Sequence, residues 1–231
     1  MKEDIYTKTS LLLGSEAVEK LKAAKAAVVG LGGVGGAVSE ALVRSGVGAL
    51  LLIDFDVISE TNLNRQILAC RSALGVKKTE AAKKRIADIN PTCKVSALDI
   101  FIDEKTLMDE NITKELLSCD FIIDAIVTVS AKAALALFCE EKSLKEISCM
   151  GTGNKTDITR LKVCDIYSTH EDPLARAVRS LLKKKGVKKL NVVFSDETPA
   201  VRPPEPASMI FVPQAAGLMA AREAIAAIIK A

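Results

Sequence analysis

Residues 28–66 read VVGLGGVGGAVSEALVRSGVGALLLIDFDVISETNLNRQ, and the punctuation of this stretch decides the fold. Val28, Val29 and Leu31 form a short apolar run that ends in glycines. The next residues, AVSEALVRSGVG, carry Val38, Leu42 and Val43 at helical spacing, with Gly46 placed to close the helix. ALLLIDFD then reads as a strand buried on both faces and closed by acids, the pattern of a parallel sheet. Gly30, Gly32 and Gly35 make a G-x-G-x-x-G turn between strand and helix. Such a turn lets phosphates approach the backbone and aims a helix N-terminus at them. Alone the motif is a weak signal. It gains weight because Asp54 ends the next strand, nineteen residues beyond Gly35, where a ribose diol needs a carboxylate.

The rest of the chain repeats this alternation. KTEAAKKRIADIN is an amphipathic helix halted by Pro91, and CKVSALD, DFIIDAIV and EISCMG read as strands. SAKAALALFCEEKS supplies a helix between the last two strands. Alternating strands and helices predict an α/β fold, with a doubly wound, Rossmann-like and mostly parallel sheet. After Gly153 the pattern loosens into a strand in ITRLKVCDIY, a helix opening at Pro173, a short strand LNVVFS, a proline-rich loop and a closing helix. We expect a single domain over residues 1–231, with a nucleotide-binding core at 1–153 and an extension of the same sheet at 154–231.

Composition narrows the functional classes. Hydrophobic residues make up 49% of the 231 residues and charged residues 26%, as in an ordered globular chain. Aromatics are 3%, which argues against an RNA surface built on stacked bases, and the net charge of +3 is too mild to indicate nucleic acid by itself. The six cysteines contain no C-x-x-C pair, which argues against structural zinc and predicts free thiols in a reducing compartment. MKEDIYTKTS has no signal core, and Arg222 and Glu223 interrupt the C-terminal apolar segment, so a cytoplasmic protein without a membrane span is expected.

The polar residues after Asp54 decide the ligand. Asn62, Asn64, Arg65 and Gln66 crowd the nucleotide edge, and Lys78 opens the next helix. A nicotinamide site needs an apolar hydride face and no cation cluster. A triphosphate under attack at phosphorus needs both a guanidinium fork and a compact ammonium. Singly, Arg65 reads as a surface ion pair and Lys78 as a solvated helix start; together at this spacing they read as triphosphate contacts.

GLGGVGG, LIDFD, TNLNRQ and GVKK resemble the ubiquitin-activating-like, ThiF-type adenylyltransferases, from about Thr9 to the chain's end. Within that superfamily VRSGVG, INPTC, MGTGNKTD, DIYSTHEDPLARAVR and VVFSDE resemble the family of tRNA threonylcarbamoyladenosine dehydratases. The resemblance implies a homodimer that binds ATP with magnesium and no zinc. It implies adenylation of the carboxylate of threonylcarbamoyladenosine at position 37, in the tRNA anticodon loop, followed by cyclisation with loss of water. Carried over by position, Gly30, Gly32, Gly33 and Gly35 line the phosphates and Asp54 takes the ribose. Asn62, Arg65 and Gln66 contact the phosphates, with Arg65 and Lys78 carrying catalysis and Asp56 and Asp124 beside the nucleotide. Lys8 stands where the family has an arginine that reaches the partner subunit's nucleotide. The lone histidine, His170, is expected in a loop or at tRNA, not in catalysis.

Two departures stand out. Where the family reads Asp-Ala-x-Asp, this chain has Asp124 and Val127, and valine cannot ligate magnesium. Either Asp124 or Asp56 substitutes, or ATP and water suffice, or catalysis is impaired. Ser168 replaces a frequent lysine. Two alternatives stay open: activation of a sulfur-carrier protein's terminal glycine, and a non-catalytic nucleotide-binding member presenting a sulfur-transfer partner. LLKKKGVKKL and the pairs Lys77–Lys78 and Lys83–Lys84 offer basic patches for RNA phosphates, although solvated helix faces are their commoner origin.

Overall fold

The computed structural model describes residues 4–199, 201, 203, 204 and 206–230. Two short helices, α1 (Thr7–Leu13) and α2 (Ser15–Ala23), lead into β1 (Lys25–Val29). The glycine turn follows, then α3 (Gly33–Ser45) and β2 (Ala49–Ile53). Gly46 closes α3 in the left-handed conformation at φ 108°, as its position in the sequence predicts. Next come α4 (Lys78–Ile89), β3 (Lys94–Leu98), α5 (Glu110–Leu117), β4 (Phe121–Asp124), α6 (Val129–Glu141) and β5 (Glu146–Cys149). The chain ends with β6 (Leu161–Asp165), α7 (Pro173–Lys185), β7 (Asn191–Ser195) and α8 (Phe211–Lys230). The sequence reading did not anticipate α5, whose N-terminus is capped by Asp109 accepting from Asn111 and Ile112 amides.

The seven strands form one sheet in the order β3-β2-β1-β4-β5-β7-β6. All neighbours are parallel except β6, which runs antiparallel to β7 at the sheet edge. The chain reverses its winding between β1 and β4, so this is a doubly wound sheet with its crevice at the carboxyl ends of those strands. Strand alternation feeds two cores. Ala26, Val28, Leu50 and Leu52 pack with α3 and α8 on one face, whereas Ala27, Val29, Leu51 and Ile53 pack beneath α6 and the segment around Leu107 on the other. A third cluster, built on Val192, Phe194 and Val178, seats α7. Each fully buried Leu or Ile of this kind contributes roughly 1.5–3 kcal/mol through desolvation.

α8 presses closest to α3. A side chain on Gly217 would come within 2.5 Å of the Val34 carbonyl oxygen, so the two backbones are nearly in contact. By length and composition alone α8 is apolar enough to cross a bilayer. Its apolarity has a local cause: Val212, Ala216, Ala220, Ala221, Ala224 and Ile228 are taken up in the core under α3.

Candidate functional site

The glycine turn is built by two close approaches. Gly30 has φ 92°, and a side chain there would meet the Ala125 carbonyl oxygen at 2.7 Å. A side chain on Gly35 would fall well inside the Gly30 carbonyl. The turn and the start of α3 are therefore packed without side-chain volume, leaving the first amides of α3 facing open space with the helix's partial positive charge.

That space is a crevice of about 420 Å³. Gly30, Gly32, Gly33, Asp54, Asp56, Asn62, Arg65, Gln66 and Lys78 all line it. Sequence elements separated by half the fold thus converge on one wall. Asp54 is buried and organises the turn: its Oδ2 accepts the Leu31 amide at 2.6 Å and its Oδ1 the Asp56 amide at 2.8 Å. Lys78, also buried, places its Nζ 2.7 Å from Asp56 Oδ2. Asn62 closes a capping box, accepting the Ser59 amide at 3.0 Å. Arg65 is steadied by donation to the Thr61 carbonyl at 2.8 Å and to Asn64 Oδ1 at 2.9 Å. Its own carbonyl accepts from Gln214 Nε2 at 2.7 Å, which ties the cationic loop to α8.

Three predicted residues lie elsewhere. Gly35 is needed for packing and does not face the crevice. Lys8 sits exposed on α1, away from the crevice of its own chain. The expectation that Asp124 contacts nucleotide or metal requires correction, because this side chain has no exposed surface. Its Oδ1 accepts the Ile126 amide at 2.9 Å, and its Oδ2 takes Lys132 Nζ at 3.0 Å and Ser148 Oγ at 2.6 Å. Asp124 anchors the loop 125–128 that floors the crevice. Val127 stands on that loop, lining the crevice with 81% of its surface exposed.

The sequence reading missed the apolar wall. Ile53, Phe55, Ile100, Phe101 and Ile102 face the crevice, with the Phe55 and Phe101 rings edge to face at 5.2 Å. The apolar triplet Ile100–Ile102 between Asp99 and Asp103 was the available signal. Thr152, Gly153, Pro206, Ser208 and Pro213 complete the mouth. The Asn154 amide donates to the Ala207 carbonyl at 2.7 Å, and Asn64 Nδ2 donates to the Ser208 carbonyl at 2.9 Å, which clips the late loop across the opening.

Among the described residues, no three His, Cys, Asp or Glu side chains come together to hold a metal ion. All six cysteines are free thiols: Cys119, Cys139 and Cys149 are buried and Cys70 is exposed. Burial pushes the Cys119 and Cys93 thiols up to about 11, so neither is a thiolate at neutral pH. An apolar slot beside an anion-binding helix start, with an arginine and a lysine on one wall, suits a purine nucleotide carrying phosphates.

Comparison with known proteins agrees with this geometry. The ThiF family profile matches residues 6–231. The tRNA threonylcarbamoyladenosine dehydratase of Bacillus subtilis is 41% identical over 236 residues, covering 93% of this chain and 90% of that protein. The crystal structure of E. coli tRNA N6-threonylcarbamoyladenosine dehydratase, TcdA, in complex with ATP matches with a TM-score of 0.90 at 34% identity. That match covers 97% of this chain and 93% of that one. Its complex with AMP gives the same TM-score over 96% of this chain. A glycine turn packed for phosphate, a seven-stranded doubly wound sheet and a profile match across nearly the whole length lead to one conclusion: the chain belongs to the ThiF family.

Proposed function

We propose that this chain is an ATP-dependent dehydratase that adenylates the carboxylate of threonylcarbamoyladenosine in tRNA and lets it cyclise with loss of water. The observation that carries the reading is the convergence of the α3 N-terminus, Arg65 and Lys78 on one crevice, in a chain so similar to dehydratases whose structures hold ATP and AMP. The apolar wall of Phe55, Phe101 and Ile102 suits adenine, and Asp54 has lone pairs left for ribose hydroxyls beyond its two backbone bonds. The substrate carboxylate oxygen attacks the α-phosphorus and pyrophosphate departs. Arg65 and Lys78 offset the charge gathering on the phosphate oxygens. An atom of the same modified base then attacks the acyl carbon, and AMP leaves with the original carboxylate oxygen. Closure within one molecule needs held geometry more than a strong base, so no histidine is required.

The crevice offers magnesium no side-chain cage. Among its described lining residues the acids are Asp54, whose two oxygens each accept an amide, and Asp56, half-exposed with its Oδ2 paired to Lys78; Val127 adds none. Magnesium accompanying ATP would be met by phosphate oxygens and water, with Asp56 the one half-exposed carboxylate among the described lining residues. A homodimer at the position-37 anticodon loop, in the cytoplasm, completes the reading. Leu11, Leu12 and Leu13 are exposed beside Lys8 on a helix with no buried residue, which supports a second copy packing there. A sulfur-transfer partner remains part of the proposal. Activation of a sulfur-carrier protein is the weaker reading, since the similarity to dehydratases spans more of the chain. Incubation with ATP, magnesium and tRNA bearing threonylcarbamoyladenosine, followed by nucleoside mass spectrometry, should show a product lighter by one water. Folded protein that yields none refutes the proposal.

A further inference from the structure

Beyond the crevice, at the same edge of the sheet, four side chains form a second polar cluster. Asp196 follows β7 and is 5% exposed in its side chain. Arg160 Nε stands 2.6 Å from its Oδ1, Lys162 Nζ pairs with its Oδ2, and His170 Nε2 lies 3.8 Å from the same oxygen. The Arg160, Lys162 and His170 side chains are 51%, 53% and 58% exposed. One sunken carboxylate thus holds three basic groups with their outer surfaces free. The His170 ring also rests edge-on against Phe194 at 5.6 Å. Neighbouring acids keep their charge beside the patch but have their oxygens engaged in hydrogen bonds. Asp157 turns its carboxylate onto the Thr159 amide, and Glu197 accepts the Thr156 and Asp157 amides. Glu171 accepts from Thr198.

The cluster is rigidly joined to the crevice rim. Buried Lys155 donates to the Ser195 carbonyl at 2.7 Å and lies 3.5 Å from Asp172. Asp172 in turn accepts the Gly151 amide at 3.0 Å, just before the rim residues Thr152 and Gly153, and caps α7 through the Ala175 amide. Sheet order puts β6 two strands from β5, a lateral step of about 10 Å at a strand spacing of ~4.8 Å.

We infer that Arg160, Lys162 and His170, gathered on Asp196, form a docking surface for the RNA phosphates that flank the base entering the crevice. This rests on the dehydratase reading above, and it assigns the RNA-facing charge to this patch instead of to the lysine runs of the sequence. A single-stranded loop suits it, because splayed-out bases leave their phosphates accessible at such a distance.

The test is fluorescence anisotropy of the full chain with a labelled, unmodified tRNA transcript across a salt series. Arg160→Gln/Lys162→Gln removes two phosphate contacts. At about 0.7 in the salt slope per single-strand phosphate, the slope should fall by about 1.4 and affinity at about 0.15 M salt roughly tenfold. ATP affinity should stay unmoved, and Arg160→Lys/Lys162→Arg should bind as the parent does. Lys162→Gln alone, at an exposed position, should lower the slope by about 0.7, which keeps the test open if the double variant folds poorly. An unchanged slope and affinity overturn the inference. If the parent dehydrates tRNA while the glutamine variants bind normally, only this surface is wrong. A parent that neither binds nor dehydrates tRNA sinks the dehydratase reading itself.

Discussion

Replacing Lys132 with methionine tests how the crevice floor is held. Lys132 and Asp124 are both fully enclosed, with Nζ 3.0 Å from Oδ2 and 3.0 Å from Ser148 Oγ. Methionine keeps the volume and removes the charge, leaving Asp124 sealed without its counter-ion. Breaking a buried pair from one side costs about 3–5 kcal/mol, because the remaining charge cannot regain its hydration. For a chain of this size each kcal/mol moves the midpoint ~2–4 °C, so Lys132→Met should melt about 6–20 °C lower. Urea unfolding followed by far-UV circular dichroism measures this directly, since the chain has no tryptophan. Adding Asp124→Asn removes the orphaned charge while an amide oxygen can still accept the Ile126 amide. The double variant should therefore be more stable than Lys132→Met alone, with a coupling of about 1–3 kcal/mol. Lys132→Met within about 1 kcal/mol of the parent would refute the claim that this pair carries the floor.

Four further outcomes follow from the same coordinates. Lys78→Met strips the buried cation from the crevice and leaves Asp56 facing the phosphates, so AMP formation should drop by about 10²–10³; Arg65→Lys, losing the fork, should recover little over Arg65→Ala. Gly35→Ala drives a methyl into the Gly30 carbonyl, which should cost about 1–3 kcal/mol in urea unfolding and abolish ATP binding. Burial and nearby Asp124 push the Glu146 carboxyl from 4.5 up to about 8, and its sealed Oε1 has no hydrogen-bond partner. The folded state therefore holds a proton that the unfolded chain releases. This contribution to stability is complete below the unfolded value and is lost as pH rises through the folded one, so urea midpoints should fall between about pH 5 and pH 9 and flatten in Glu146→Gln.

The first crossover was legible because its physics is local. Gly30, Gly35, Gly46 and Asp54 each answer a demand made within a few dozen residues: a turn, a close packing, a cap, a carboxylate at a strand end. The apolar wall was not legible, since Phe55 and Phe101 meet only after β3 pairs beside β2. Ser208 and Pro213 reach the mouth from the far end of the chain, through bonds to Asn64 and contact with Gly33. Asp124 misled for a different reason. A strand-end acid beside a nucleotide crevice has the same local sequence whether it faces the ligand or the core. Lys132, four residues into a helix otherwise rich in alanine, decides between them, and no periodicity announces a fully buried lysine.

Val127 gains meaning from that arrangement. Among the described lining residues the crevice carries two cations, Arg65 and Lys78, and two acids, Asp54 and Asp56. These charges balance, and the amides of α3 add about half a positive charge at the phosphate end. An aspartate at 127 would tip the wall negative, at a repulsion of about 4 kcal/mol per unit charge at 4 Å near a protein surface, unless a divalent ion stood between it and the phosphates. A valine there removes both the repulsion and the need for that bridge. The substitution is thus electrostatically consistent with the proposed site, in which the lysine, the arginine and the helix start would face a triphosphate.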